Sequence, residues 1–176
     1  MSDQIHSLSF NQEFYEALIK GVQASGLKGE LATLLSEQLS ETGAFKNRDG
    51  DDCLLATASG IAIAEAISWD YPQEKTYNYL KNFGSGRKLD LIHLAALCRA
   101  WSFFSYDFLD IKMSEKLAES LEKFRKSDFG FSQVMTDKVA SVYGSFLAFS
   151  SYQALDLEIK DEFKFLSTLN VMKSPN

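Results

Sequence analysis

The chain is poor in the residues that build covalent or metal frameworks. Of 176 residues, two are cysteine (Cys53 and Cys98) and two are histidine (His6 and His93). Two thiols without Cys-x-x-Cys spacing make neither a disulfide scaffold nor a zinc ribbon, and two histidines exclude a His-rich metal site. Proline occurs only at Pro72 and Pro175, so little interrupts a helix. Basic residues number 18 against 24 acidic, a net charge of −6, and they form no basic run. Phosphate neutralisation supplies most nucleic-acid affinity, so no nucleic-acid partner is expected. The start, Met1 to His6, lacks a basic n-region and an apolar h-region, so it does not read as a signal peptide. The most apolar run, Cys53 to Trp69, is interrupted by Glu65 and is short for a membrane span. A soluble cytoplasmic chain is the expectation. No Gly-x-Ser-x-Gly elbow, P-loop or Gly-x-Gly-x-x-Gly fingerprint occurs. The stretch Gly84 to Lys88 lacks P-loop spacing and reads as a turn between helices.

What is present is helical. Apolar residues make up 45% of the chain, and its length fits one domain, residues 1–176, with a buried core. Apolar periodicity, punctuated by glycine, predicts eight helices. They run over about Asn11–Ser25, Lys28–Glu41, Asp52–Trp69, Pro72–Gly84, Lys88–Ser105, Ser114–Lys126, Lys138–Leu155 and Lys160–Asn170. A capping box of Ser9 and Gln12 opens the first. The second, fourth and sixth are amphipathic, with Leu31, Leu34, Leu35 and Leu39 on one face of the second. The third, fifth and seventh are apolar or small nearly all round, and such a helix is covered on every side. Inner helices should therefore alternate with outer ones.

The alternation reads as an internal repeat. Residues Leu35 to Phe45 realign without a gap on Leu121 to Phe131, and Leu80 to Phe83 matches Leu121 to Phe124. Thr57, Leu94 and Ser145 then occupy one position of three inner helices. A helix-hairpin unit of roughly 40 residues is the signature of stacked repeats. Units of about 28–69, 72–105 and 113–157, flanked by the first and last helices as caps, divide the chain.

The carrying segments are Gly43-Ala44-Phe45, Arg48-Asp49-Gly50 and Thr57 to Ile67, answered by Phe129-Gly130-Phe131 and Tyr143 to Leu155. This pattern of amphipathic helix, glycine-aromatic turn, polar loop and small-apolar helix resembles the αα-toroid of protein prenyltransferase β-subunits and squalene cyclases. The resemblance covers roughly residues 28–157. It implies an all-α, αα-hairpin fold, a partial toroid of about four hairpins.

The resemblance also nominates chemistry. Prenyltransferase β-subunits bind zinc through an Asp-x-Cys pair and a histidine one repeat on, which implies Asp51, Cys53 and His93 here. That set would leave an open position for a substrate thiolate. The register that equates Thr57, Leu94 and Ser145 places Cys53 opposite Asp90 instead. On that register Cys53 is a small hydrophobe, Asp51 and Asp52 cap a helix, and His93 is a satisfied core histidine. Asp49-Gly50-Asp51-Asp52 also spells the Asp-x-Asp-Asp acid motif of squalene cyclases, while serving equally as acidic helix-start residues. The open positions expected for ligand binding are Phe45, Arg48, Asp51, Asp52, His93, Phe131 and Tyr143. The leading functional expectation is a prenyltransferase-like helical repeat module that binds a protein partner, a second copy of itself or an isoprenoid-like apolar ligand. The alternative is a small zinc-dependent prenyl or alkyl transferase, or a subunit of one.

Overall fold

A computed structural model describes residues 10–104 and 111–172. Among them are eight α-helices: α1 (Phe10–Ser25), α2 (Lys28–Gln38), α3 (Leu54–Ala66), α4 (Gln73–Lys81), α5 (Leu91–Trp101), α6 (Ile111–Leu121), α7 (Val142–Ala154) and α8 (Glu162–Val171). A 3-10 turn, Glu122–Phe124, continues α6. No sheet forms among the described residues; three isolated bridges close turns. The protein is all-α. No helix among the described residues is long and apolar enough to cross a membrane. The expected capping box at Ser9 lies outside the described residues.

The two kinds of helix take different places. α5 buries eight of its 11 residues, including Leu91, Leu94, Leu97 and Trp101. α6 buries a stripe only: Ser114, Leu117, Ser120 and Leu121. α3, α5 and α7 pack side by side as a row, while α2 lies on α3, and α4 and α6 lie on α5. Each fully buried leucine in this row contributes about 1.5–3 kcal/mol over leaving it exposed. α1 packs against both α3 and α7, the two ends of the row. Its Tyr15 ring meets Phe103, just past the end of α5, at 5.5 Å. α8 is fixed at the other end by Phe165, which is fully buried. That ring stacks on Phe149 of α7 and meets Phe131 edge-on, both at 6.0 Å.

Helix starts differ from the sequence expectation for local reasons. α3 begins at Leu54 rather than Asp52, because Lys46 and Asp52 form an extended bridge just before it. α7 begins at Val142 rather than Lys138. The Asp128 carboxylate accepts the Ala140 N–H at 2.9 Å, and the Ser141 hydroxyl accepts the Gly144 N–H at 3.0 Å as the cap. The described part of α6 already includes Ile111, ahead of the expected start at Ser114.

Candidate functional site

The three row helices start alike. Their caps are Cys53, Asp90 and Ser141. Four residues beyond each cap stand Thr57, Leu94 and Ser145, all 0% exposed. The Thr57 hydroxyl accepts the Phe45 N–H at 2.9 Å and donates to the Cys53 carbonyl at 2.8 Å. The Ser145 hydroxyl accepts the Phe131 N–H at 3.0 Å. The turns ahead of α3 and α7 correspond bond for bond. Ser40 N–H donates to the Ala44 carbonyl and Lys126 N–H to that of Gly130, both at 2.8 Å. Lys46 N–H reaches the Gln38 carbonyl at 2.9 Å, and Ser132 N–H that of Phe124 at 3.1 Å. Gly43 and Phe129 take the same left-handed place, with φ of +86° and +68°. A side chain there costs about 1–2 kcal/mol. Phe129 is held there by Arg125, whose Nη1 donates to its carbonyl at 2.8 Å, and by the Lys164 ammonium 4.4 Å above its ring.

Two residues turn a helix by about 200°, so the residue two past each cap points away from the buried one four past it. Those residues are Leu55, Ile92 and Tyr143, exposed by 39%, 37% and 49%. All three inner helices thus carry a large apolar side chain in solvent at the same register position, at the loop end. Tyr143 is among the residues the sequence nominates. Leu55 and Ile92 were missed there, although aligning the caps Cys53, Asp90 and Ser141 places them beside it.

The other nominated residues scatter. Phe45 and Phe131 are not open positions: they are 2% and 0% exposed, because their amides and rings anchor the two turns to the inner helices. The Phe45 ring lies where Gly60 leaves room, and a methyl at Gly60 would come within 2.5 Å of it. Arg48, Asp51 and Asp52 sit on the exposed loop ahead of α3. That loop is organised by Asn47, whose Oδ1 accepts the Asp49 N–H at 2.9 Å and the Asp51 N–H at 3.0 Å. Asp52 accepts the Thr42 hydroxyl at 2.6 Å. His93 is half-exposed rather than a core histidine, its side chain 41% accessible. Its Nδ1 lies 2.9 Å from both carboxylate oxygens of Asp90, which leaves an oriented imidazole at the start of α5. Burial raises the Asp90 pKa, but the His93 N–H and ring outweigh it and hold the carboxyl below its ordinary range. Cys53 is a free, partly buried thiol at the cap of α3. Among the described residues, no group of three or more His, Cys, Asp or Glu side chains is placed to hold a metal ion. Asp51, Cys53 and His93 therefore do not form such a group.

Beside the loop, a cleft of about 660 Å³ opens between α2 and α3. Its floor is Leu34, Phe45, Ala56 and Ile63, and its rim carries Glu37, Lys46 and Arg48. Leu34 is 48% exposed.

The strongest electrostatic cluster lies elsewhere and is structural. Arg125 donates to Glu122 through Nε at 2.6 Å and Nη2 at 2.9 Å, and the Tyr152 hydroxyl donates to Glu122 at 2.5 Å. Burial alone would raise the Glu122 pKa. The bonds from Arg125 and Tyr152 outweigh that and hold it below the ordinary range. This trio ties the turn after α6 to α7. Burial also pushes the Cys98 thiol up to about 12 and, with Asp52 and Cys53 nearby, the Tyr79 hydroxyl up to about 12.

No protein-family model, no curated protein and no solved structure matches this chain.

Proposed function

We propose that the protein is a helical-hairpin repeat module, built like a partial prenyltransferase or terpenoid-cyclase toroid. In this reading it binds an isoprenoid-like apolar chain, or an apolar segment of a partner protein, at the loop end of α3, α5 and α7. One observation carries the reading: the exposed apolar trio Leu55, Ile92 and Tyr143 at one register position of three helices. A single exposed leucine is ordinary, whereas exposed apolar side chains grouped together mark binding surfaces. The matching hydrogen bonds of the two turns support the repeat. The trio stands at the helix ends where loops are free to vary without disturbing the core.

The test is titration with a fluorescent isoprenoid alcohol. Saturable binding is expected. Leu55→Asp and Ile92→Asp should each weaken it about tenfold, the loss of roughly one exposed side chain's apolar burial. Both sites are exposed, so folding should survive, as circular dichroism would show. A probe that does not saturate, or that binds wild type and both variants equally, would overturn the reading.

A further inference from the structure

The α2–α3 cleft has a charged end and an apolar end. α2 stops and α3 starts at one loop, and Lys46 and Arg48 of that loop line the cleft. From there the cleft follows α3 from Ala56 to Ile63, two turns or about 10 Å. Leu34 of α2 lines the facing wall and is 48% exposed, since the α3 residues there, Ala56, Ser59 and Gly60, are small. The Phe45 ring takes the space over Gly60 and closes the floor. The loop end has a net sign. Lys46 and Arg48 line the cleft, whereas Asp49, Asp51 and Asp52 of the same loop do not, and Asp52 is engaged by the Thr42 hydroxyl. Among the described residues neither Lys46 nor Arg48 enters an ion pair. Glu37 is the one carboxylate among the described residues lining the cleft, so two cations stand against one anion.

We propose that this cleft holds a free fatty-acid-like carboxylate, its head at Lys46 and Arg48 and its chain laid along α3 toward Ile63. A volume of about 660 Å³ lies in the range of small-molecule sites. The polarity of the cleft matches that of the ligand. The chain displaces water from Leu34 and Ile63, and each buried methylene adds to affinity. The head meets two cations that no carboxylate of the described residues has claimed. Arg48 is exposed and Lys46 half-buried, so pairing with them contributes modestly. The chain therefore supplies most of the affinity, and the head fixes its direction and selects for negative charge. None of Leu55, Ile92 and Tyr143 lines the cleft, so this site and the one proposed on the trio can fail separately.

Titration calorimetry of the full chain with octanoate, decanoate and dodecanoate, each below its micelle concentration, tests this. Saturable binding is expected, tightening about tenfold per two carbons until the trough is full. Arg48→Gln should weaken decanoate about threefold and Glu37→Gln should tighten it about twofold, while neither changes the affinity for uncharged decanol. Ser59→Phe, which fills the trough, should weaken decanoate and decanol alike by at least about tenfold. These three positions are exposed, and an unchanged circular dichroism spectrum establishes that the variants fold. Ile92→Asp, in the trio, should bind decanoate as wild type does. Binding that does not saturate, or an affinity indifferent to chain length, would overturn the proposal. So would Arg48→Gln and Glu37→Gln variants that shift decanoate in the same direction or not at all, or an Ile92→Asp variant that loses as much as Ser59→Phe.

Discussion

Gly43 and Gly50 test how the hairpins are locked together, because they share a backbone conformation and differ in their surroundings. Their φ angles are +86° and +88°. A methyl at Gly50 meets nothing within 4 Å, whereas one at Gly43 falls 2.4 Å from the Thr76 nitrogen and 2.5 Å from the Lys75 carbonyl carbon. Those are backbone atoms of α4 and cannot swing aside. The left-handed conformation costs alanine about 1–2 kcal/mol at either site. Stiffening of the unfolded chain returns about 0.4–1 kcal/mol. Gly50→Ala should therefore lose about 1 kcal/mol. At Gly43 the first turn of α4 must also move, breaking the bond from the buried Thr76 hydroxyl to the Gly43 carbonyl, now 2.7 Å. An orphaned buried polar group adds about 1–3 kcal/mol, so Gly43→Ala should lose about 3 kcal/mol. Since each kcal/mol shifts Tm by about 2–4 °C in a chain of this size, the drops should be about 3 °C and 9 °C. Urea unfolding followed by far-UV circular dichroism measures both. Equal losses, or a Gly43→Ala variant within about 1 kcal/mol of wild type, would show that α4 does not bear on this turn.

Thr57→Val and Ser145→Ala each strand a buried amide, that of Phe45 or Phe131. Each should cost about 1–3 kcal/mol by chemical unfolding, and a neutral result at either site would break the correspondence of the two turns. Glu122 supplies a pH dependence. Its pKa is depressed in the fold, so its stabilisation is full above the ordinary carboxylate range and is lost as pH falls through the folded value. Glu122→Gln should lower stability near neutral pH by about 1–3 kcal/mol and flatten the acid limb of the stability–pH curve; an acid limb as steep as that of wild type counts against the trio with Arg125 and Tyr152.

Much of the fold was legible because its signals are local. Helix kind followed from composition: α5, apolar nearly all round, buries eight of its 11 residues, while α6, with a polar stripe, buries one face. The gapless match of Leu35–Phe45 with Leu121–Phe131 reappears as shared hydrogen bonds, since a turn's bonding depends on few residues. The site was less legible. Phe45 and Phe131 looked open because they follow glycine-bearing turns, yet their amides are claimed by Thr57 and Ser145 twelve or more residues away. His93 reads as a core residue between Ile92 and Leu94, and is half-exposed because Asp90 draws its ring toward the cap. The start of α7 was misplaced because its true stop, Asp128 to Ala140, spans 12 residues. Periodicity cannot register such a bond.

Exposure along the inner helices has two separable causes, and register tells them apart. Val142 and Phe146 are exposed while their counterparts in α3 and α5 are buried. Ser59 is exposed while its counterparts in α5 and α7 are buried. Each of these stripes belongs to an end helix of the row, whereas the middle helix α5 is packed between α3 and α7. Leu55, Ile92 and Tyr143 obey no such rule. They are exposed in the first, middle and last helix alike, by 37–49%, although α5 has a neighbour on both sides. No neighbour in the row covers that position, since it is exposed even in α5, which packs between α3 and α7. Its exposure therefore does not follow from position in the row. Exposure of the end stripes tracks position in the row and that of the trio does not, which is why the proposed binding site is placed on the trio.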